Sequence, residues 1–190
     1  MRTIQEIWYE YHDNPVNAWN CDPVNNMHPY PPFLRFRARG IILEIGVEKG
    51  ISTASFLLGL EKNGGHLYSV DVLDFSDILS HPQWTFIHSD SRNIGKVMSI
   101  VPQPIDILFV DGCHVHPGVD TDLYGYAPFV RKGGMILIHD IYTPFDVTPE
   151  RRLGWGTEDV AEAYHRFCFD TGYTHFELPG QFGMGVIYKG

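Results

Sequence analysis

Cysteine is scarce in this chain. Its three thiols, Cys21, Cys113 and Cys168, are far apart and odd in number, which argues against a disulfide framework and against a C-x-x-C zinc pattern. Positive charge is also short: 14 Lys and Arg stand against 23 Asp and Glu, a formal charge of −9. With no basic excess to displace counterions, broad binding to nucleic acid is not expected. Long apolar runs are missing as well. The opening Met1-Arg2-Thr3-Ile4-Gln5-Glu6 lacks the apolar stretch of a signal peptide, and no segment suits a bilayer span. A soluble cytoplasmic protein without a membrane partner is the expectation. At 190 residues, with 44% hydrophobic residues, one domain with one sizeable core is expected.

Residues 1 to about 12 place Ile4, Ile7, Trp8 and Tyr11 at helical spacing. The stretch from Asn14-Pro15 to Pro31-Pro32 is rich in Pro and Asn, which break regular elements, yet Trp19, Tyr30 and Phe33 suggest that it packs. Residues 1–39 therefore read as an N-terminal extension, either a lid over a substrate or a plain cover for the core. Residues 40–190 read as the main domain.

After Gly40 a strand–helix alternation begins. Ile41-Ile42-Leu43-Glu44-Ile45 is a short continuous apolar run, as expected of a strand buried on both faces, and His66 to Val70, Trp84 to His88, Ile105 to Val110 and Met135 to Ile138 read as further strands. Ser52–Leu60, Ile94–Ile100, residues 116–130 and Glu158–Phe169 suit helices between and after them. Tyr173–Leu178 and Gly183–Tyr188, separated by Pro179-Gly180, read as an antiparallel hairpin. Repeated β–α units imply a doubly wound, Rossmann-like α/β sandwich of three layers, mostly parallel, with an antiparallel C-terminal edge.

Ligands of such sheets bind beyond the carboxyl ends of strands, and polar residues cluster there. The first strand runs into Glu44-Ile45-Gly46-Val47-Glu48-Lys49-Gly50-Ile51-Ser52-Thr53. Gly46 and Gly50 permit a tight turn and close approach of a ligand, and a helix start with free N–H groups follows at Ser52 and Thr53. The spacing is G-x-x-x-G and lacks the G-x-G-x-x-G of a dinucleotide pyrophosphate site. An acidic Glu44 suits an ammonium group better than a phosphate. Asp71 ends the second strand about 20 residues beyond Gly50, where a carboxylate can take both hydroxyls of a ribose. Ser89-Asp90-Ser91 after the third strand offers acceptors for an adenine amino group. Ammonium, ribose and adenine without phosphate describe S-adenosylmethionine.

Strand four ends in Asp111-Gly112-Cys113-His114-Val115-His116 and strand five in His139-Asp140. These strands are neighbours in a doubly wound sheet, so Asp111 and Asp140 should lie side by side. Two such carboxylates either share a proton or hold a hard divalent cation such as Mg2+; Asp111 could equally contact the methionine portion of the ligand or cap the next helix. His114, close beyond Asp111, has the pKa of a base that could deprotonate an acceptor. Cys113 reads as a small buried filler and His116 as a surface residue at a helix start. The segment 141–157, with Tyr142, Arg151, Arg152 and Trp155, would overhang the same edge, either as an acceptor-binding loop or with its arginine pair simply solvated.

Leu43 to Gly50, Val70-Asp71, Phe109-Val110-Asp111-Gly112, Asp122-Leu123 and Lys132 to Asp140 together resemble class I methyltransferases. They are most similar to the branch holding small-molecule and sugar O-methyltransferases and cephalosporin hydroxylase-like proteins. The resemblance covers residues 40–190 and implies the sheet order 3-2-1-4-5-7-6. It also implies S-adenosylmethionine as cofactor and a small hydroxylated acceptor. Asp111, His139 and Asp140 fall on magnesium positions, where His139 replaces an acidic residue common in relatives. Three other readings compete: a nicotinamide oxidoreductase on the same fold, disfavoured by the missing glycine fingerprint; a non-catalytic binding module; and a metal-independent N-methyltransferase. The sequence leaves the acceptor and any homo-oligomer open.

Overall fold

The computed structural model describes residues 1–10, 30–142, 157–179 and 182–190. Its elements in chain order are α1 (Ile4–Trp8), α2 (Tyr30–Arg37), β1 (Gly40–Ile45), α3 (Ile51–Asn63), β2 (Gly65–Asp71) and β3 (Trp84–His88). They continue with α4 (Ile94–Met98), β4 (Ile105–Val110), α5 (Gly118–Tyr126), β5 (Val130–His139), α6 (Thr157–Thr171), β6 (Thr174–Leu178) and β7 (Met184–Tyr188). The strands form one sheet in the order β3-β2-β1-β4-β5-β7-β6, parallel except for β7, which pairs antiparallel with both β5 and β6. The doubly wound α/β expectation and the implied strand order both hold.

Period-two side-chain alternation splits the central strands between two cores. Ile42, Ile107, Phe109, Met135, Leu137 and Val186 face α1, α2 and α3. Leu43, Ile45, Leu108, Val110, Ile136 and Ile138 face α4, α5 and α6. Continuous apolar runs were needed because both faces are covered; each fully buried Leu or Ile contributes roughly 1.5–3 kcal/mol.

The N-terminal stretch departs from expectation. Tyr30–Arg37 is a helix although it begins Tyr30-Pro31-Pro32. Proline fits a first helical turn, where its missing N–H has no intrahelical partner to lose. Leu34 and Ala38 are buried against α3. The approach is close at Gly59, where an added Cβ would meet the Arg35 carbonyl oxygen at 2.2 Å and Ala38 Cβ at 2.7 Å. Arg37 fastens the other end by donating to the Tyr188 hydroxyl at 2.8 Å. Helix α1 is held by a capping box between Thr3 and Glu6, and Ile4 and Ile7 join the same core. The region of Asn14, Trp19 and most of the Pro/Asn-rich stretch lies outside the described residues. No helix among the described residues is long and apolar enough to cross a membrane.

Candidate active site

The turn after β1 is built on a backbone that glycine permits. Gly46 has φ +93°, and an added Cβ would lie 2.1 Å from the Asp111 carbonyl oxygen. The space a side chain would take at Gly46 is filled by the end of β4. Two hydrogen bonds seal this crossing, from Asp111 N–H to the Ile45 carbonyl (2.8 Å) and from Gly46 N–H to the Val70 carbonyl (3.0 Å). Gly50, with φ +77°, begins α3 as a left-handed N-cap without a side-chain bond. The helix start therefore keeps unpaired N–H groups.

Glu44 is fully buried. Its Oε2 accepts from Thr53 Oγ1 at 2.8 Å and from Ser69 Oγ at 2.5 Å, and Ser69 Oγ in turn accepts from Trp84 Nε1 at 2.9 Å. Its Oε1 is buried without a hydrogen bond. Burial pushes the Glu44 pKa up to about 7 against the opposing pull of Ser52, Ser69 and Thr53. Thr53, read from sequence as a residue facing the ligand, is turned inward and braces Glu44. Ser52 is also buried. Asp71 sits at the end of β2 and holds the turn: its Oδ2 accepts from Val47 N–H and its Oδ1 from Leu73 N–H, both at 2.9 Å.

The loop after β3 differs from the sequence reading. Both oxygens of Asp90 are taken by Arg92, whose Nε and Nη2 fork onto them at 2.5–3.1 Å. Arg92 thereby holds the Asp90 carboxyl down at a pKa of about 2. Ser89 is buried and donates to the Asp90 carbonyl at 3.2 Å. Asp90 is thus committed to a neighbour and is not an idle acceptor for a base. Asp122, one turn into α5, is fully buried with both carboxylate oxygens lacking a hydrogen bond. Burial raises its pKa to about 6. A signal for it existed: Asp122 interrupts the apolar stripe of Val119, Leu123 and Tyr126, where a solvated helix face would not place it.

The ends of β4 and β5 converge as the topology requires. His139 Nδ1 lies 3.4 Å from Asp111 Oδ1 and 2.9 Å from Asp140 Oδ1. His114 Nε2 lies 3.6 Å from Asp111 Oδ1 and 3.4 Å from Asp140 Oδ2. One ligand atom from each of Asp111, His139 and Asp140 falls within 4.8 Å of the other two. Burial favours neutral His139, but Asp140 and Asp111 outweigh it and push its pKa to about 10. Burial likewise opposes charge on His114 and on Asp111. Asp111 and Asp140 nevertheless raise the His114 pKa, and His139 and His114 lower that of Asp111. The site is a compact acid–imidazole cluster whose electrostatics favour a positive charge at its centre.

Asp140 has φ +62°, an unusual backbone for a residue with a side chain. It is fixed by antiparallel contacts: Asp140 N–H donates to the Gly183 carbonyl at 3.1 Å, and Tyr142 N–H to the Phe182 carbonyl at 2.7 Å. Strain held in this way is a common feature of functional sites. One residue of the cluster escaped sequence reasoning as a site residue. Tyr30, the first residue of α2, lays its ring against the His139 imidazole with centroids 4.4 Å apart.

Two further expectations fail. Cys113 is exposed rather than a buried filler. His116 is half-buried rather than on the surface: its N–H donates to Asp159 at 2.9 Å, its Nδ1 is paired with Asp120, and Asp120 also binds Arg166 at 2.5 Å. This network ties α5 to α6. The segment with Arg151, Arg152 and Trp155 lies outside the described residues, while Tyr142 donates its hydroxyl to Glu177 at 2.5 Å.

The sheet order, the glycine turn after β1 and the acidic ends of β1, β2 and β4 define a class I nucleoside-cofactor enzyme. The methyltransferase-domain family matches residues 43–141, and the chain belongs to that family of S-adenosylmethionine-dependent enzymes. Among curated relatives, demethylmacrocin O-methyltransferase of Streptomyces fradiae is 29% identical over 83 residues, 43% of this chain and 21% of the relative. Mycinamicin VI 2''-O-methyltransferase of Micromonospora griseorubida matches to the same extent. The chain thus aligns with about a fifth of the length of these curated relatives. Among solved structures, the SAH-bound methyltransferase PaMTH1 of Podospora anserina superposes with a TM-score of 0.70 at 15% identity, over 98% of this chain and 87% of that one. MycE of the mycinamycin biosynthetic pathway, in complex with Mg, SAH and mycinamycin VI, superposes with a TM-score of 0.64 at 18% identity, over 98% and 53%. At these identities the superpositions speak for the fold.

Proposed function

We propose that this chain transfers the methyl group of S-adenosylmethionine to a hydroxyl oxygen of a small acceptor, a sugar or other natural-product intermediate, with help from a divalent cation. The observation that carries the reading is the cluster of Asp111, His114, His139 and Asp140, in backbone contact with the glycine turn through Gly46. In this reading Glu44 faces the cofactor's ammonium, supported by its unpaired buried Oε1, and Asp71 accepts from the ribose. Gly46, Gly50 and Ser52 line the methionine end, and Ser89 and Asp90 border the adenine. The names of the curated relatives, both O-methyltransferases, favour oxygen over nitrogen as acceptor atom.

The donor set fits a cation. Two carboxylates and one imidazole offer hard oxygens and a nitrogen, a combination that Mn2+ tolerates more readily than Mg2+. Asp111, His139 and Asp140 would hold it, and when bound it would orient the acceptor hydroxyl and lower its pKa. His114 takes the hydroxyl proton. The acceptor oxygen then forms its bond to the methyl carbon as the carbon–sulfur bond breaks, with the electron pair leaving on sulfur. Much of the rate comes from holding oxygen, carbon and sulfur in line. Helix α2 borders the cluster through Tyr30.

Calorimetry with SAH tests the cofactor half: the intact chain binds, and Asp71→Ala, which removes the anchor of Val47 and Leu73, reduces binding below detection. Undiminished affinity in Asp71→Ala refutes the ribose assignment. Turnover against a panel of catechols and hexoses, before and after chelation, tests the second half. Full activity without divalent ions refutes the cation.

A further inference from the structure

Tyr30 lies in sequence outside the family-matched residues 43–141, yet in space it touches the cluster at their far end. Its ring tilts 52° to the His139 ring at a centroid separation of 4.4 Å, and Phe182 lies 6.4 Å from the same imidazole. Two rings supplied by parts of the chain remote from it in sequence therefore lie near His139. We propose that Tyr30 is a positioning residue for the cation site, fixing the ring of His139 so that Nδ1 stays turned toward Asp111 and Asp140. The proposal rests on the cation reading above for its consequence, though not for its geometry.

Two observations support it. First, the anchor is rigid: Leu34 and Ala38 are fully buried, the Arg35 carbonyl fills the space beside Gly59, and Arg37 is bound to Tyr188. A helix gripped at so many points can hold its first residue in one place. Second, an imidazole ligand needs its ring plane set by neighbours, since rotation about the side-chain bonds would swing Nδ1 away from the carboxylates. Nδ1 lies 2.9 Å from Asp140 in the observed orientation, which the Tyr30 ring blocks from turning on one side.

The test uses the full chain. Tyr30→Phe keeps the ring and should bind Mn2+, followed by electron paramagnetic resonance, within about twofold of the unaltered protein. Tyr30→Leu keeps apolar bulk but no ring face, and should weaken Mn2+ by about tenfold, the lower end of what loss of an outer-shell partner does. SAH affinity should change little in either, which a general loss of structure would not permit. Equal Mn2+ affinity in Tyr30→Leu and the unaltered chain overturns the proposal. Nuclear Overhauser contacts between the Tyr30 and His139 rings of the unaltered, 15N-histidine-labelled chain provide a measurement independent of any variant's folding. Their presence supports the geometry, and their absence refutes it. If the unaltered chain binds no Mn2+, the cation reading fails, and these contacts, with the His139 signal expected to shift in Tyr30→Leu and not in Tyr30→Phe, decide the positioning role alone.

Discussion

Replacing Glu44 with Gln should make the protein at least as stable at pH 8 while weakening its hold on the cofactor. Glu44 is fully buried, and its pKa rises from 4.5 to about 7, chiefly because burial penalises the charge. A folded-state pKa above the unfolded value means that the folded chain holds the proton more tightly. The stability from this group is therefore complete below about pH 4.5 and is lost as pH rises toward 7. At about 1.4 kcal/mol per pH unit, the unaltered chain carries a penalty of about 3 kcal/mol above pH 7. Glutamine has the same shape and no charge, and the hydroxyls of Thr53 and Ser69 can still bond its carbonyl oxygen. Urea denaturation from pH 5 to 8 measures this: the unaltered chain should lose up to about 3 kcal/mol relative to Glu44→Gln across that range. A cofactor ammonium that binds ionised Glu44 expels the proton, so calorimetry with SAH at pH 6 in two buffers of different ionisation enthalpy should show proton release. That release should shrink by close to one proton in Glu44→Gln. A variant less stable than the parent at pH 8, with an unchanged pH slope, would refute both the burial argument and the ammonium assignment.

Thr53→Val removes a buried donor to Glu44 and should cost about 1–3 kcal/mol at pH 8 by urea titration. It should also move the midpoint of pH-dependent SAH binding upward, because Thr53 is one of the groups favouring the charged form; an unmoved midpoint would exclude Thr53 as a brace. Gly46→Ala places a Cβ 2.1 Å from a backbone oxygen in a left-handed conformation and should destabilise by about 2–4 kcal/mol. Gly64→Ala, with φ +73° and ψ 160° but open space around the new Cβ, should lose only the backbone strain of about 1–3 kcal/mol, less than Gly46→Ala, and equal losses at the two sites would show that backbone strain alone explains both.

What the sequence made legible follows from what a parallel sheet does to a chain. Central strands buried on both faces must be largely apolar, so β4 could be bounded to the residue, and the polar residue that follows such a run marked the ligand edge. That is why Glu44, Asp71, Asp111 and Asp140 could be named in advance as a set. Helix α2 was hidden because Pro31 and Pro32 read as breakers, whereas a first turn has no N–H bonds for them to interrupt. Pairings within the site were hidden for another reason. Arg92 occupying Asp90, Thr53 turning inward and Asp120 capturing His116 all depend on side-chain directions that spacing does not fix.

Tyr30 marks the sharper limit. More than 100 residues separate it from His139, and no periodicity connects a Pro-flanked aromatic to the end of the fifth strand. The contact exists because α2 lies on α3, α3 follows the glycine turn, and that turn crosses the end of β4 at Gly46. Each link is a close backbone approach at a glycine: Gly59 lets α2 settle, and Gly46 lets Asp111 settle. The two glycines lie on one structural path from the N-terminal helix to the acidic edge, so the reach of α2 to His139 depends on small residues that touch neither ring. Residues 43–141 include both glycines as well as the carboxylates, but not the tyrosine. The scaffold for this contact therefore falls within the family-matched region, while the ring that uses it comes from a segment outside that region.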